Sequence, residues 1–416
     1  MESAPSEGRY PRWLRAVANP QFRKVWTMST LPQFGYWFSN IAFQWVVAQK
    51  TGNAPIMLGF LYFVMLIPIL LFSIPAGVLA DRIDRRYILG ACQSATVLIG
   101  LFTAALLWHG NPDLWIVMAC GFAIGTAHSV ATPASAALVA NSVPSQDLSS
   151  AIPLQAMGMN LARMLGPALA GAVIFFGGTG ESLLLYAATG VIGLLVLRNV
   201  PRLQAPKIVV VTSSIFQQAR DGLIHARENP PAGLALALVG VCSVFGASYL
   251  ALLPVLAENS SNESNAFMFL TSAGGLGALT GVFLVATRGG GRPSITTPAV
   301  MLLAMGIVVA LLGHGPNFAI EMLLVATASG LQFGIMTTCN RVIQQVVSDS
   351  HRGRVMSLYA ITWGGFLPIG GLWLGVLISA IGLTYAFTIN GLVAIAFALW
   401  VLRPGIQRTG HSSPAF

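Results

Sequence analysis

The chain has 416 residues, of which 55% are hydrophobic and only 8% charged, whereas a soluble domain carries about 25% charged residues. That deficit excludes an ordinary soluble enzyme or binding module. The formal net charge of +9 therefore has to be read against a membrane before it is read as nucleic-acid binding.

Residues 1–26 are polar and basic (Arg9, Arg12, Arg15, Arg23 and Lys24). They show neither the short apolar core nor the small-residue cleavage site of a secretory leader, so the first apolar segment is expected to stay in place as a helix. Beyond it, stretches of 18 or more nearly uncharged residues recur to residue 402. About 20 such residues cross about 30 Å of hydrocarbon. Polar punctuation predicts helices over 27–48, 56–80, 87–108, 114–140, 151–176 and 182–198, then over 232–256, 266–287, 296–313, 318–347, 355–380 and 384–402. The connections are short and turn-rich, as at Lys50 to Asn53 and Gly177 to Gly180, except for one long link over 199–231. That link carries an amphipathic stretch from Ser213 to Glu228, with Ile215, Ala219 and Leu223 on one face and Arg220, Asp221 and Arg227 on the other. It is expected to lie on the membrane surface. The four cysteines sit singly in separate apolar segments without metal spacing.

Orientation follows from the basic residues. With the N-terminus in the cytoplasm, 20 of the 22 lysines and arginines fall inside, Lys50 alone falls outside and Arg163 lies within a helix. Such a bias is a topology signal, and it accounts for the net charge without nucleic acid. The expected domains are a cytoplasmic N-terminal segment (1–26), a six-helix bundle (27–198), a cytoplasmic linker (199–231), a second six-helix bundle (232–402) and a cytoplasmic tail (403–416).

Gly77, Asp81, Arg82, Asp84, Arg85 and Arg86 join the second and third helices. This run resembles the signature loop of the major facilitator superfamily, with Asp84 where that pattern usually has glycine. Three more stretches narrow the branch. One runs from Thr132 and Pro133 through Val143–Leu148. A second runs along helix five from Asn160 and Arg163 to Gly166, Pro167 and Gly171. The third opens helix eleven at Arg352, Arg354 and Tyr359. Together they resemble the bacterial secretion-effector branch that includes enterobactin-type exporters, over about residues 20–402. The resemblance implies an all-α membrane protein of 12 transmembrane helices in two pseudo-symmetric bundles, alternating access and export from the cytoplasm. It implies a conformational latch at Gly77, Asp81, Arg82, Arg85, Arg86, Arg352 and Arg354, with Asp81 tying helix two to helix eleven. It also puts helix five at the bundle interface, where Gly158, Gly166 and Gly171 allow close packing and Pro167 a bend; packing alone also explains the glycines.

Departures matter. Where the branch often carries an acid in helix one, this sequence reads Gly35, Tyr36, Trp37, and no Asp or Glu falls near the middle of a predicted helix. Glu321, near the outer end of helix ten, is the only acid inside a span. Two other ionisable residues lie deep: Arg163, about twelve residues into the predicted helix five, and His128 in helix four. Charge at such depth is costly and marks pathways or sites. Arg163 is read either as a substrate or gating contact or as a cap on backbone carbonyls. His128 is read either as the proton-coupling group, since histidine titrates near neutrality, or as a neutral imidazole bonded between helices. Tyr36, Asn40 and Gln44 form one polar stripe on helix one, unsuited to lipid. With Asn160, Arg163, His128, Phe245, Tyr249, Gln332 and Trp363 they are the candidate substrate cavity, the alternative being hydrogen bonding between helices.

Motifs for nucleotide hydrolysis, zinc proteolysis and serine hydrolysis are absent. The expectation is a monomeric exporter of a small drug, siderophore or metabolite, with protons and membrane lipids as its other partners, no nucleic acid, no cofactor and no metal. It would reside in the bacterial inner membrane, driven by protons. A gradient-independent facilitator or importer and a lipid flippase of the same fold are the alternatives.

Overall fold

In a computed structural model, residues 11–110, 112–200, 215–261, 265–288, 294–315 and 317–404 are described, and all regular structure among them is helical. The helices are α1 (Pro20–Thr51), α2 (Pro55–Arg82), α3 (Arg85–His109), α4 (Leu114–Ala140), α5 (Leu148–Phe176) and α6 (Thr179–Arg198). After the linker helix α7 (Ile215–Glu228) come α8 (Pro230–Val241) and α9 (Leu253–Ser260), then α10 (Ala266–Arg288), α11 (Thr296–Leu312), α12 (Phe318–Val346), α13 (Asp349–Ile381) and α14 (Leu383–Val401). Among the described residues ten helical segments are long and apolar enough to cross a membrane, with α8 and α9 forming one span over Pro230–Ser260. The 17-residue α11 is apolar but shorter. The 32-residue α1 is long enough, but its polar stripe lowers its hydropathy. Residues 1–10 of the expected N-terminal segment (1–26), 201–214 of the linker and the tail from 405 lie outside the described residues.

Short polar caps set the helix starts. Asn19 accepts from the Gln21 N–H at 2.8 Å with Pro20 at the first helical position, so α1 begins seven residues before the apolar run. Hydropathy marks the hydrocarbon-crossing part of a helix, whereas the cap marks the helix itself. Asp84 accepts from the Arg86 N–H at 3.0 Å and caps α3, which gives this acid a structural task where the family pattern has glycine. Gly52 closes α1 in the left-handed region, φ 58°.

The main departure from the sequence reading lies in the seventh span. Between α8 and α9 the chain passes through a π-helical stretch, Cys242–Gly246, and a 3₁₀ stretch, Ala247–Leu252. The i, i+4 spacing that would place Phe245 and Tyr249 on one face is a property of continuous α-helix, and the change of winding breaks it.

The helices of each sequence half pack chiefly on one another, and the halves meet mainly along α2–α13 and α5–α10. The α2–α13 crossing is close because glycines face backbone. A Cβ at Gly59 would lie 2.5 Å from the Gly371 carbonyl oxygen, and one at Gly375 an equal 2.5 Å from that of Pro55. On α5–α10, a Cβ at Gly275 would lie 2.7 Å from the Met164 oxygen. At the same end Asn53 donates to the Glu258 carboxylate at 2.7 Å and Trp45 stacks on Phe267. At the other end, where α2 finishes and α13 starts, a Cβ at Gly77 or Gly353 would meet nothing within 4 Å. The four cysteines are buried and free.

Candidate functional site: a cavity between the halves

Where the halves meet, about midway along the helices, they enclose a cavity of about 100 Å³. Its wall joins α1, α2, α4 and α5 of the first half to the seventh span, α10, α12 and α13 of the second. Seven of the ten expected cavity residues line it: Tyr36, Asn40, Gln44, His128, Arg163, Gln332 and Trp363.

The α1 stripe is held from both sides. Gln44 donates to the Asn40 side-chain oxygen at 3.0 Å, and Asn40 leans on the Met65 sulfur of α2 at 3.8 Å. The His128 imidazole lies flat against the Tyr36 ring, centroids 4.0 Å apart and planes 17° from parallel. These two rings also wall a smaller space of about 30 Å³ inside the first half, with Gln93 and Ser135.

Arg163 enters from α5. Its Cζ lies 3.7 Å from the centroid of the Trp363 ring on α13, within the roughly 6 Å of a cation–π contact. The contact crosses between the halves. Among the described residues no carboxylate pairs with Arg163, and no hydrogen bond holds its guanidinium. Four polar atoms of wall residues are likewise unsatisfied among the described residues: the Tyr36 hydroxyl, Gln44 Oε1, Gln332 Oε1 and Trp363 Nε1 are buried without a partner. Buried polar atoms are normally paired. A ring of unpaired ones around an uncompensated cation has the chemistry of a recognition surface for a polar, negatively charged molecule with an aromatic or apolar body.

Three expected residues stand elsewhere. Tyr249 is fully buried behind the wall, its hydroxyl 2.7 Å from Ser329 Oγ, itself a lining residue. Phe245, in the π-helical stretch, is half-buried and does not line the cavity, and Asn160 is exposed on α5. Gln33, Trp37, Tyr62 and Thr271 line the cavity and were not singled out from the sequence. Gln33 was legible, because it extends the Tyr36, Asn40, Gln44 stripe by one turn.

The glycines of α5 divide between two partners. A Cβ at Gly158 would strike Thr30, and one at Gly166 would strike Trp37, both on α1. One at Gly171 would lie 2.9 Å from the Met268 carbonyl oxygen of α10, in the opposite half. Pro167 lines the cavity and leaves a gap in the helical hydrogen-bond ladder there. Of the expected latch, the side chains of Asp81 and Arg82 lie outside the described residues. Arg85 is buried and donates to the carbonyls of Ala80 and Ala137, both at 3.3 Å, fastening the ends of α2 and α4 together. Arg352 donates to the Val347 carbonyl at 3.4 Å. Glu321 lies in the first turn of α12, away from the cavity, fully buried with both carboxylate oxygens unpaired among the described residues.

A family model described as transmembrane secretion effector matches residues 14–412. The chain belongs to that family, a branch of the major facilitator superfamily. It is thus a multi-pass membrane transporter. Curated relatives include a staphyloferrin A transporter of Staphylococcus aureus, 25% identical over 384 residues, covering 88% of this chain and 91% of the relative. A macrolide efflux protein A of Streptococcus pyogenes is 23% identical over 396 residues, covering 91% and 94%. Among solved structures, a bacterial homologue of the human lysosomal transporter Spinster shares the fold with a TM-score of 0.71 at 14% identity, over 95% of this chain and 99% of that one. A POT family transporter in complex with 5-aminolevulinic acid gives 0.69 at 15% identity, over 92% and 96%.

Proposed function

We propose that this transporter exports a small, negatively charged organic compound of the siderophore, drug or metabolite class from the bacterial cytoplasm across the inner membrane. Arg163 carries the reading: a cation in a cavity between the halves, faced by an aromatic ring and by no carboxylate among the described residues. An uncompensated buried charge is costly, and an anionic substrate supplies the missing partner. Relatives named for siderophore transport and for macrolide efflux support a small organic cargo and outward movement.

In this reading α1 and α11 also cross the membrane, which makes twelve spans in two six-helix bundles, 27–198 and 232–402, with both termini and the linker in the cytoplasm. The end sealed by Asn53–Glu258 and the α2–α13 and α5–α10 crossings then faces outward. The end carrying Gly77 and Gly353, where an added Cβ would meet nothing within 4 Å, faces the cytoplasm. The bundles rock about the cavity, Asp81 and the arginines of the α2–α3 loop engage α13 in the outward-facing state, and the protein works as a monomer. His128, in contact with the cavity-lining Tyr36, is the group through which protons drive the cycle, and Glu321 is the second buried titratable group to probe. A facilitator without proton coupling is favoured by one observation, the lack of any carboxylate among the described residues of the cavity wall.

Uptake of a panel of anionic, neutral and cationic compounds into inverted membrane vesicles tests both readings. Accumulation of anions that an uncoupler abolishes is the expected result. Accumulation of cations alone would overturn the substrate class, and equilibration unaffected by the uncoupler would leave the facilitator.

A further inference from the structure

A second, larger space lies wholly in the second half. α10 and α11 both pack on α12 but barely on each other, so the two flank a groove of about 820 Å³ floored by α12. That volume falls within the range of about 300–1,000 Å³ typical of ligand sites. The groove follows α12 from Leu323 to Arg341, about 27 Å at 1.5 Å per residue, close to the thickness of the hydrocarbon layer. It is separate from the central cavity. Gly277 and Gly281 of α10 press onto the backbone of Ala326 and Gly330 of α12, closing the wall between the two spaces. Leu276 and Leu323 at its rim are 59% and 67% exposed, so the groove opens sideways, where the hydrocarbon of the bilayer lies.

Three of its four lining threonines are already engaged. Thr280 donates to the Leu276 carbonyl at 2.9 Å, Thr327 to that of Leu323 at 2.7 Å and Thr338 to that of Gly334 at 2.8 Å. Each of these three hydroxyls is therefore occupied by its own helix, and along α10 and α12 the groove is predominantly apolar. Among the described residues its one charged lining residue, Arg341, stands at one end, together with Ser294. An apolar channel as long as a membrane leaflet or more, open to the bilayer and ending at an arginine, matches one chemistry: a hydrocarbon chain with an anionic head.

We propose that this groove binds an anionic phospholipid, its acyl chain lying along α10–α12 and its phosphate at Arg341. The site is independent of the transport reading, since neither its lining nor its ligand touches the central cavity. One arginine against an anionic lipid surface is worth about 1 kcal/mol, or about fivefold in affinity.

The test uses the full-length protein in phosphatidylcholine nanodiscs carrying a trace of phosphatidylglycerol with a photoactivatable acyl chain, read by mass spectrometry of the labelled peptides. Labelling is expected to concentrate on 276–285, 297–301 and 323–342 over the exposed faces of α3 and α6 at Leu98 and Leu195, and to exceed that by a phosphatidylcholine probe about fivefold. Arg341→Gln should remove the preference for phosphatidylglycerol, Arg341→Lys should keep most of it, and Arg403→Gln, at an exposed position outside the groove, should leave it intact. Thr327→Trp should displace the label from the groove. Uniform labelling of all lipid-facing helices, or equal effects of Arg341→Gln and Arg403→Gln, would overturn the proposal.

Discussion

The central cavity and the α10–α12 groove are separated by a single glycine-lined helix crossing, yet they carry opposite chemistry. The groove is eight times the larger, about 820 against about 100 Å³, and the hydroxyls of Thr280, Thr327 and Thr338 are spent on their own backbone. The cavity is small, but among the described residues its wall holds an arginine without a counter-charge and four unpaired polar atoms. Volume alone would have pointed to the groove. Unsatisfied chemistry, set where the two halves meet, points to the cavity as the proposed transport site, and the groove's largely apolar lining suits a resident hydrocarbon chain. The central claim is thus that recognition resides in Arg163 and its neighbours.

Removing the charge is the strongest way to break this contrast. Hydrogen bonds to charged groups are worth about 1.5–3 kcal/mol, so Arg163→Gln should lower anion transport about 10- to 100-fold with normal membrane insertion. Arg163→Lys should recover only part of it, because a point charge does not stack as a planar guanidinium does. Unchanged transport in Arg163→Gln would move the site elsewhere. A smaller loss, about fivefold for one neutral hydrogen bond of about 1 kcal/mol, is expected for Gln332→Leu in the same assay. On the other side of the comparison, Thr327→Trp fills the groove and should leave the transport rate within about twofold, the size of a contact worth a few tenths of a kcal/mol. A large loss there would make the two spaces one functional unit.

The smallest expected effect lies outside both. The linker helix α7 docks on the start of α13, with the His225 and His351 rings stacked at 4.2 Å and Gly222 against the Arg354 carbonyl. Partial burial, then the neighbouring His351, lower the His225 pKa from its ordinary 6.5, with Glu228 opposing. The docked helix therefore binds fewer protons than the released one, and docking is complete above about pH 6.5 and weakens as pH falls below it. Protection from hydrogen exchange in 215–228, taken relative to the intrinsic exchange rate at each pH, should fall between about pH 7.5 and about pH 5.5, and His225→Asn should flatten that dependence.

Much of this was legible in the sequence because hydrocarbon imposes a coarse and unforgiving pattern. The apolar runs located the helices to within a few residues, and only the caps, such as Asn19 at α1, lay beyond their reach. The polar stripe on α1 announced its face directly, since Tyr36, Asn40 and Gln44 recur once per turn. Arg163 stood out by depth. Its pairing with Trp363 could not be read, because 200 positions separate the two and only the meeting of the halves around the cavity brings them together. Phe245 and Tyr249 misled because their spacing assumes a regular helix that the π-helical and 3₁₀ stretches interrupt. The groove left no trace in sequence at all. It exists because α10 and α11 fail to meet, and a gap between helices has no residue pattern of its own.

The most direct measurement of the central claim is a competition between two compounds that differ only in one charge, a carboxylate and its methyl ester, offered to vesicles containing the wild type or Arg163→Gln. The wild type should prefer the carboxylate, and the variant should lose that preference or reverse it while still moving the ester. An equal preference in both proteins would contradict the account, because Arg163 would then not be what reads the substrate's charge.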